Sequence, residues 1–352
     1  MDNFDLSILK WYRQNKRNLP WRNTNNPYFI WLSEIILQQT RVDQGMNYYL
    51  KFIKNFPTIE ELAEADEQTI LSNWQGLGYY SRARNLHATA KEITQKYNGI
   101  FPDKHEEILK LKGIGPYTAA AIASFSYDLP HPVVDGNVYR VLTRIFDIDT
   151  PIDTNEGIKL INKIANQLIS IQHPGEYNQA IMEFGAIHCT PTNPKCDSCI
   201  FATHCKGKIN NTYLQRPINS KKTAIKKRYF HYLEVSNEND IILHKRTEED
   251  IWKHLFQFPL IEKKQMDDLQ LIQKQFEKKF NQKIHSLPNV QKHILSHQHI
   301  FTYFWKIELK DSVLEILNST DTFITINKQE INKYPLPRVI TKYLENIDKI
   351  DN

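Results

Sequence analysis

The chain has 352 residues, 41% of them hydrophobic and 24% charged, with a formal net charge of +5, which is enough material for a sizeable core and for more than one domain. No eighteen apolar residues run together and Met1–Asp5 lacks a basic segment leading into an apolar one, so neither a membrane span nor a secretory leader is expected. The expectation is a cytoplasmic protein, nucleoid-associated in a prokaryote, and a monomer. Residues 1–215 carry 22 Lys+Arg against 22 Asp+Glu, and residues 229–352 carry 17 against 18. The whole excess therefore sits in residues 216–228, where Arg216, Lys221, Lys222, Lys226, Lys227 and Arg228 face no acid. Such a run can neutralise phosphates, or it can be a solvated tether.

From Asp5 to about Ile187 the apolar spacing predicts successive amphipathic helices with short Gly/Pro/Asn breaks, among them Tyr28–Gln38, Ser81–Tyr97, Thr118–Phe125, Val138–Ile145 and Glu156–Ile169. Ahead of the first of these, Asn15–Arg22 ends on Leu19-Pro20-Trp21-Arg22. The helix at Tyr28–Gln38 carries Glu34 inside Phe29-Ile30-Trp31-Leu32-Ser33-Glu34-Ile35-Ile36-Leu37, where nearly every face is apolar. Burial raises a carboxyl pKa and makes a general acid near neutrality; a Glu paired with an internal Arg is the alternative. Gly76-Leu77-Gly78-Tyr79-Tyr80-Ser81-Arg82-Ala83-Arg84 can present Leu77 or Tyr79 as a wedge into a base stack with Arg82 and Arg84 on phosphates, or can simply plug a core.

Leu111–Ile122 sets Gly113 and Gly115 before a helix that opens on Pro116. Glycines permit positive φ and close approach, so the helix's first N–H groups can grip a phosphate oxygen. An ordinary helix–turn–helix corner reads the same way. A dinucleotide site is excluded because no strand precedes the glycines and the third is missing. In His131–Val138, Asp135 heads the next helix, as an N-cap or as a second catalytic acid.

The chain's four cysteines, Cys189, Cys196, Cys199 and Cys205, lie within seventeen residues in an x6, x2, x5 pattern interrupted by prolines. That density speaks for metal ligation rather than disulfides, with zinc and an iron–sulfur cluster both open, the single C-x2-C leaning toward the latter. Beyond Tyr229 the pattern becomes α+β, with strands predicted at Tyr229–Val235, Ile241–His244 and Ile300–Ile307 and helices at Asp267–Phe280 and Arg338–Glu345.

Taken together, Leu19–Arg22, Trp31–Thr40, Gly76–Asn85, Leu111–Ala120, Val133–Val138 and the cysteine spacing resemble the helix–hairpin–helix DNA glycosylase superfamily, and within it the MutY family of adenine glycosylases. The resemblance runs almost the full length. It implies a multidomain fold: an all-α helix–hairpin–helix glycosylase domain with a [4Fe–4S] loop (1–215), a basic linker (216–228), and an α+β Nudix-like lesion-recognition domain (229–352). It resolves the metal question toward a [4Fe–4S] cluster on the four cysteines. It further implies a monofunctional glycosylase of base excision repair acting on double-stranded DNA, removing adenine opposite 8-oxoguanine or guanine.

On this resemblance Glu34 protonates adenine N7 and Asp135 stabilises the sugar cation, with Tyr117 and Asn137 supporting them. Arg22, Trp21 and Gln179 receive the flipped base, and Gln39, Thr40, Leu77 and Tyr79 fill the gap and touch the opposite base. Ser296 and His297 match the lesion-reading segment. Tyr117 stands where related strand-cutting enzymes carry a Schiff-base lysine, so efficient lyase activity is not expected. The second half departs from the pattern at His254, where a glycine is usual, and at Leu295, where Phe is common. It also lacks the clustered Arg-Glu-x-x-Glu-Glu of Nudix hydrolases, so no Mg²⁺-dependent hydrolysis is expected. His293, His297 and His299 are read as surface or base-contacting histidines rather than metal ligands. The competing readings are a bifunctional pyrimidine glycosylase and a non-catalytic mismatch-binding protein.

Overall fold

The computed structural model describes residues 3–220, 224–309 and 322–348. Its contacts divide the chain into two compact units, the first Met1–Glu64 with Asn85–Lys222 and the second Ala65–Arg84 with Thr223–Asn352.

The first unit is helical. It contains α1 (Phe4–Asn15), α2 (Pro27–Leu37), α3 (Val42–Asn55), α4 (Ile59–Glu64), most of α6 (Ser81–Tyr97), α7 (His105–Ile108), α8 (Pro116–Tyr127), α9 (Gly136–Phe146), α10 (Asn155–Leu168), α11 (Pro174–Ile187) and the short α12 (Lys206–Ile209). Local chemistry sets the ends. Asn26, Asp135 and Thr154 accept backbone N–H groups as N-caps of α2, α9 and α10, and prolines occupy the first turns of α2, α8 and α11. A core of Phe4, Ile8, Tyr12, Val141, Leu142, Ile161, Ile181, Phe184 and Phe201 ties α1, α9, α10 and α11 to the cysteine loop.

The second unit is built on a seven-stranded mixed sheet, among the described residues, with β1 (Lys226–Ser236), β2 (Asp240–Lys245), β3 (Phe256–Gln257), β4 (Leu260–Lys263), β5 (Asn289–Ile294), β6 (Gln298–Glu308) and β7 (Phe323–Asn327). β1 runs parallel to β6 from Lys226 opposite Gln298 to Ser236 opposite Glu308, and the other pairings are antiparallel. Alternation along the strands sends Leu233, Tyr303, Trp305 and Ile307 toward Ile272 and Phe276 of α13 (Leu269–Phe280). It sends Phe304 to the other face, where its ring stacks at 3.9 Å on Tyr343 of α14 (Arg338–Asp348). The unit also takes in α5 (Glu67–Trp74) and the turn after it, although both are embedded in the helical half of the sequence.

Two expectations about basic residues change. Arg216 pairs with Asp147 at 3.1 Å. Arg228 is 6% exposed, lies in β1, and is held by Asp250 and Glu262 at 2.6 and 2.7 Å. Neither guanidinium is free for phosphate, because each completes an internal ion pair. Lys226 and Lys227 are exposed, and Lys221 and Lys222 lie outside the described residues.

Candidate active site

In the first unit, a cavity of about 840 Å³, measured out to its open mouth, is lined by side chains of α2, α8, α9 and α11 and of the segment before α2. Of the residues singled out from the sequence, it gathers Trp21, Arg22, Glu34, Thr40, Tyr117, Asp135, Asn137 and Gln179.

Glu34 reaches the cavity from a helix whose other residues are almost all buried, and it is itself 7% exposed. Desolvation pushes its carboxyl up to about 7, against the pull of the Tyr117 hydroxyl, which donates to Oε2 at 2.6 Å. The nearby Asp135 charge pushes the same way as burial. At neutral pH Glu34 is therefore poised between carrying and releasing a proton.

Asp135 caps α9. Its Oδ1 accepts the Val138 N–H at 2.8 Å and its Oδ2 accepts the Asn137 amide at 2.6 Å. Burial raises its pKa too, but those donors and the Arg140 charge oppose the rise. With two N–H donors on its oxygens, against one hydroxyl on Glu34, Asp135 is the group that loses its proton first. The N-cap and the catalytic readings of Asp135 are thus compatible, since the cap is what aims it. Arg140 orients the pair by donating to Asn137 Oδ1 at 2.9 Å, to the Gly185 carbonyl at 2.7 Å and to the Cys189 carbonyl at 2.8 Å.

The opposite wall holds a residue the sequence reading missed. Glu183 is fully buried and binds Arg17 and Arg22, each at 2.7 Å. Burial would raise it, yet the two guanidiniums hold it down at about 2. Arg22 is thereby anchored, with its guanidinium 5.6 Å from the centre of the Tyr12 ring, and Tyr12 donates to Gln179 Oε1 at 2.7 Å. Ile181-Met182-Glu183-Phe184 carries the same signal as Glu34, an acid inside an apolar helical run.

The four cysteines line a second cavity of this unit together with Arg144 and His188. Arg144 is 2% exposed and fastens the loop, donating to the Thr190 and Pro191 carbonyls at 2.7 and 2.8 Å and approaching Cys189 Sγ at 3.5 Å. Desolvation pushes the Cys199 thiol up to about 11 and raises Cys196 and Cys205, so thiolates here need a cationic group among them. Lys208 donates to the Cys196 carbonyl at 2.9 Å. Among the described residues, no three or more His, Cys, Asp or Glu side chains are gathered as a single-ion site.

Gly113 has φ +76°, and a Cβ there would meet the Asn85 Cβ at 2.6 Å; Gly115 caps α8 in extended backbone with open space around it. Between the two exposed glycines Ile114 is buried, which pins the turn while leaving its backbone outside. Gln39, at φ +55°, follows α2.

Leu77, Tyr79, Ser296 and His297 belong to the second unit. Leu77 is 7% exposed and so plugs a core, whereas Tyr79, at φ +48°, is 50% exposed. The Tyr79 hydroxyl lies 2.8 Å from Ser296 Oγ, which joins two expected contacts 217 residues apart in sequence. Ser296 and His297 are the exposed tip of the β5–β6 hairpin, closed by the Leu295 N–H on the Gln298 carbonyl. The expectation that Arg82 and Arg84 face phosphates is corrected. Arg82 is 9% exposed over the Trp74 ring, and Arg84 donates to the Lys253 carbonyl at 2.9 Å.

Residues 32–167 match the profile of the HhH-GPD superfamily of base excision DNA repair proteins, and residues 231–346 match that of the NUDIX domain. An adenine DNA glycosylase of Buchnera aphidicola subsp. Baizongia pistaciae is 41% identical over 99% of this chain and 97% of its own length. That of Buchnera aphidicola subsp. Acyrthosiphon pisum is 34% identical over 98% of each. Among solved structures, a thermostable thymine-DNA glycosylase is 29% identical with a TM-score of 0.55, covering 59% of this chain and 95% of the other. No helix among the described residues is long and apolar enough to cross a membrane.

Proposed function

The chain belongs to the adenine DNA glycosylase family of base excision repair, and from that premise we propose that it removes adenine paired with 8-oxoguanine or guanine, with Glu34 as general acid and Asp135 as the carboxylate that stabilises the sugar cation. The observation that carries this reading is the pair of unlike carboxyls in one cavity, Glu34 pushed up to about 7 and Asp135 held by two N–H donors.

Glu34 hands its proton to N7 of the flipped base. The glycosidic bond then breaks with its electron pair going to adenine, leaving an oxocarbenium ion whose charge faces Asp135. Water adds to the sugar carbon, gives up a proton, and leaves an abasic site. Asn137 holds Asp135 in register, and Tyr117 holds Glu34. Because position 117 is a tyrosine, no amine is supplied there for a Schiff base, which supports a monofunctional enzyme. Trp21, Arg22 and Gln179 shape the base pocket. Gln39 and Thr40 border the vacated stack, and Gly113 and Gly115 offer backbone to a phosphate.

We assign the four cysteines to a [4Fe–4S] cluster; the cavity that all four line, and the desolvation that raises the half-buried thiols of Cys196, Cys199 and Cys205, support it. When bound, such a cluster supplies four metal–thiolate links that brace the loop. Residues 1–215 are taken as the glycosylase domain, 216–228 as the linker, whose last three residues already belong to β1, and 229–352 as the lesion-reading domain, with which residues 65–84 pack, so that Tyr79, Ser296 and His297 read the base opposite adenine from one unit. The deciding experiment is incubation of a duplex bearing adenine opposite 8-oxoguanine, followed by alkali. Strand breaks at the adenine are expected, together with their absence for Asp135→Asn, which still binds the duplex. Intact strands with the unaltered protein would overturn the reading, and a borohydride-trapped covalent adduct in high yield would favour a lyase.

A further inference from the structure

His254 lies in the second unit with φ +66°, a left-handed conformation that favours glycine and that a residue with a Cβ adopts only under strain. Strain of this kind persists where the surroundings over-determine it. Here they do. The His254 N–H donates to the Arg246 carbonyl at 2.7 Å, and the Arg246 N–H donates to the Leu255 carbonyl at 2.9 Å. The Arg246 guanidinium in turn binds Asp250, the Ile251 carbonyl and Gln257. The loop that carries His254 is therefore a rigid platform, and its imidazole is aimed. In the tautomer protonated on Nδ1, it donates to Glu67 Oε1 at 2.6 Å, with both side chains about one-third exposed.

Glu67 opens α5, and Arg84, which donates to the neighbouring Lys253 carbonyl at 2.9 Å, ends the same segment of this unit. The loop thus grips residues 65–84 at both ends. Between the two grips is the Gly76–Tyr79 turn, whose Tyr79 hydroxyl meets Ser296. We propose that His254 is a positioning residue for recognition of the base opposite adenine: through Glu67 it fixes the segment that sets Tyr79 against Ser296. A tie that served fold stability alone would not call for a strained backbone at this position, where glycine would relieve the strain. The proposal rests on the assignment of Tyr79 and Ser296 to the opposite base.

The test is the ratio of single-turnover excision rates for adenine opposite 8-oxoguanine and opposite guanine, measured at sub-saturating protein, with the melting temperature recorded alongside. His254→Gly relieves the strained φ and removes the tie. It is expected to lower the ratio about fivefold, at the weak end of coupling between linked sites, without lowering the melting temperature or the rate at saturating protein. His254→Asn tolerates the left-handed backbone and places an N–H at the same reach, so it restores the ratio. Glu67→Ala matches His254→Gly, and the double variant adds nothing to either single one. If Ser296→Ala lowers the ratio and His254→Gly does not, the positioning role is overturned while the opposite-base assignment stands. If Ser296→Ala also leaves the ratio unchanged, the assignment fails and this inference falls with it.

Discussion

Glu34 and Glu183 line the same cavity from helices of the same unit and are both nearly inaccessible, yet their carboxyls are driven in opposite directions, Glu34 up to about 7 and Glu183 down to about 2. Sequence context does not separate them, since each is one acid inside an apolar helical run. Their partners do. Glu183 faces two guanidiniums and a backbone N–H, which outweigh its desolvation. Glu34 faces a single hydroxyl and a neighbouring carboxylate, and desolvation wins. The first arrangement makes a fixed charge that anchors Arg22; the second leaves a carboxyl that can carry a proton near neutrality, as the proposed general acid must. A buried carboxyl becomes an acid or an anchor according to what its oxygens touch.

The comparison breaks most visibly at Glu34. Glu34→Gln keeps the shape and removes the transferable proton, so the single-turnover rate of excision is expected to fall by about 10²–10⁴, the range for a lost general acid. Folding should be unharmed, because Gln does not have to be desolvated as a charge. Rapid-quench measurement on a duplex with adenine opposite 8-oxoguanine reads the rate. A loss of less than tenfold would mean that Glu34 is only a wall of the pocket.

Glu183→Gln should do the reverse, costing stability before chemistry. Breaking a buried ion pair typically costs about 3–5 kcal/mol, and here about 2–3 is expected because the Arg17 side chain is 38% exposed and reaches solvent. Urea unfolding measures this. The pH dependences of stability also separate the two residues. Glu183 is depressed in the folded state, so its contribution is present above pH 4.5 and is lost as pH falls from there toward 2. Glu34 is raised, so its contribution is present below pH 4.5 and is lost as pH rises through about 7. Glu183→Gln should flatten the acid limb of the stability curve and Glu34→Gln the neutral limb. The opposite assignment of limbs would exchange the roles of anchor and acid.

Much of this was legible in the sequence. The helices came from apolar period and caps, and Ser81–Tyr97 matches its predicted span in full. The long strands β1 and β6 came from β-prone runs, Glu34 stood out as an acid in an apolar helical run and the cysteines as candidate metal ligands by type and spacing, whereas the catalytic role of Asp135 came only with the resemblance, its own context reading as an N-cap. What was not legible depends on contacts distant in the chain. Glu183 carries the same local signal as Glu34, but that it is an anchor and not an acid shows only through Arg17 and Arg22, over 160 residues away. Leu77 and Tyr79 share one glycine-bounded turn, and only tertiary packing buries the first and exposes the second. β5 is an edge strand with exposed Val290 and Ile294, which local patterning does not mark as sheet. That residues 65–84 pack with the sheet unit has no local signature at all.

The finest test of the comparison is Tyr117. Its hydroxyl donates to Glu34 and stabilises the ionised form, pulling the carboxyl down against burial. Tyr117→Phe removes that pull and nothing else from Glu34's oxygens, so Glu34 should hold its proton to higher pH. With Glu34 in the proposed role of general acid, the active protein carries its proton, so the excision rate is expected to decline as pH rises through about 7, and in the variant this limb should move to higher pH. A hydrogen bond of this kind is worth about 1 kcal/mol net, which sets the displacement at roughly 0.5–1 pH unit. Below the limb the rate should stay within about fivefold of the unaltered protein, because one hydrogen bond worth about 1 kcal/mol is then the only loss. A pH–rate profile under single-turnover conditions resolves the shift. A limb displaced to lower pH would mean that Tyr117 favours the protonated carboxyl, and the contrast with Glu183, in which partners rather than burial decide the state, would lose its sharpest support.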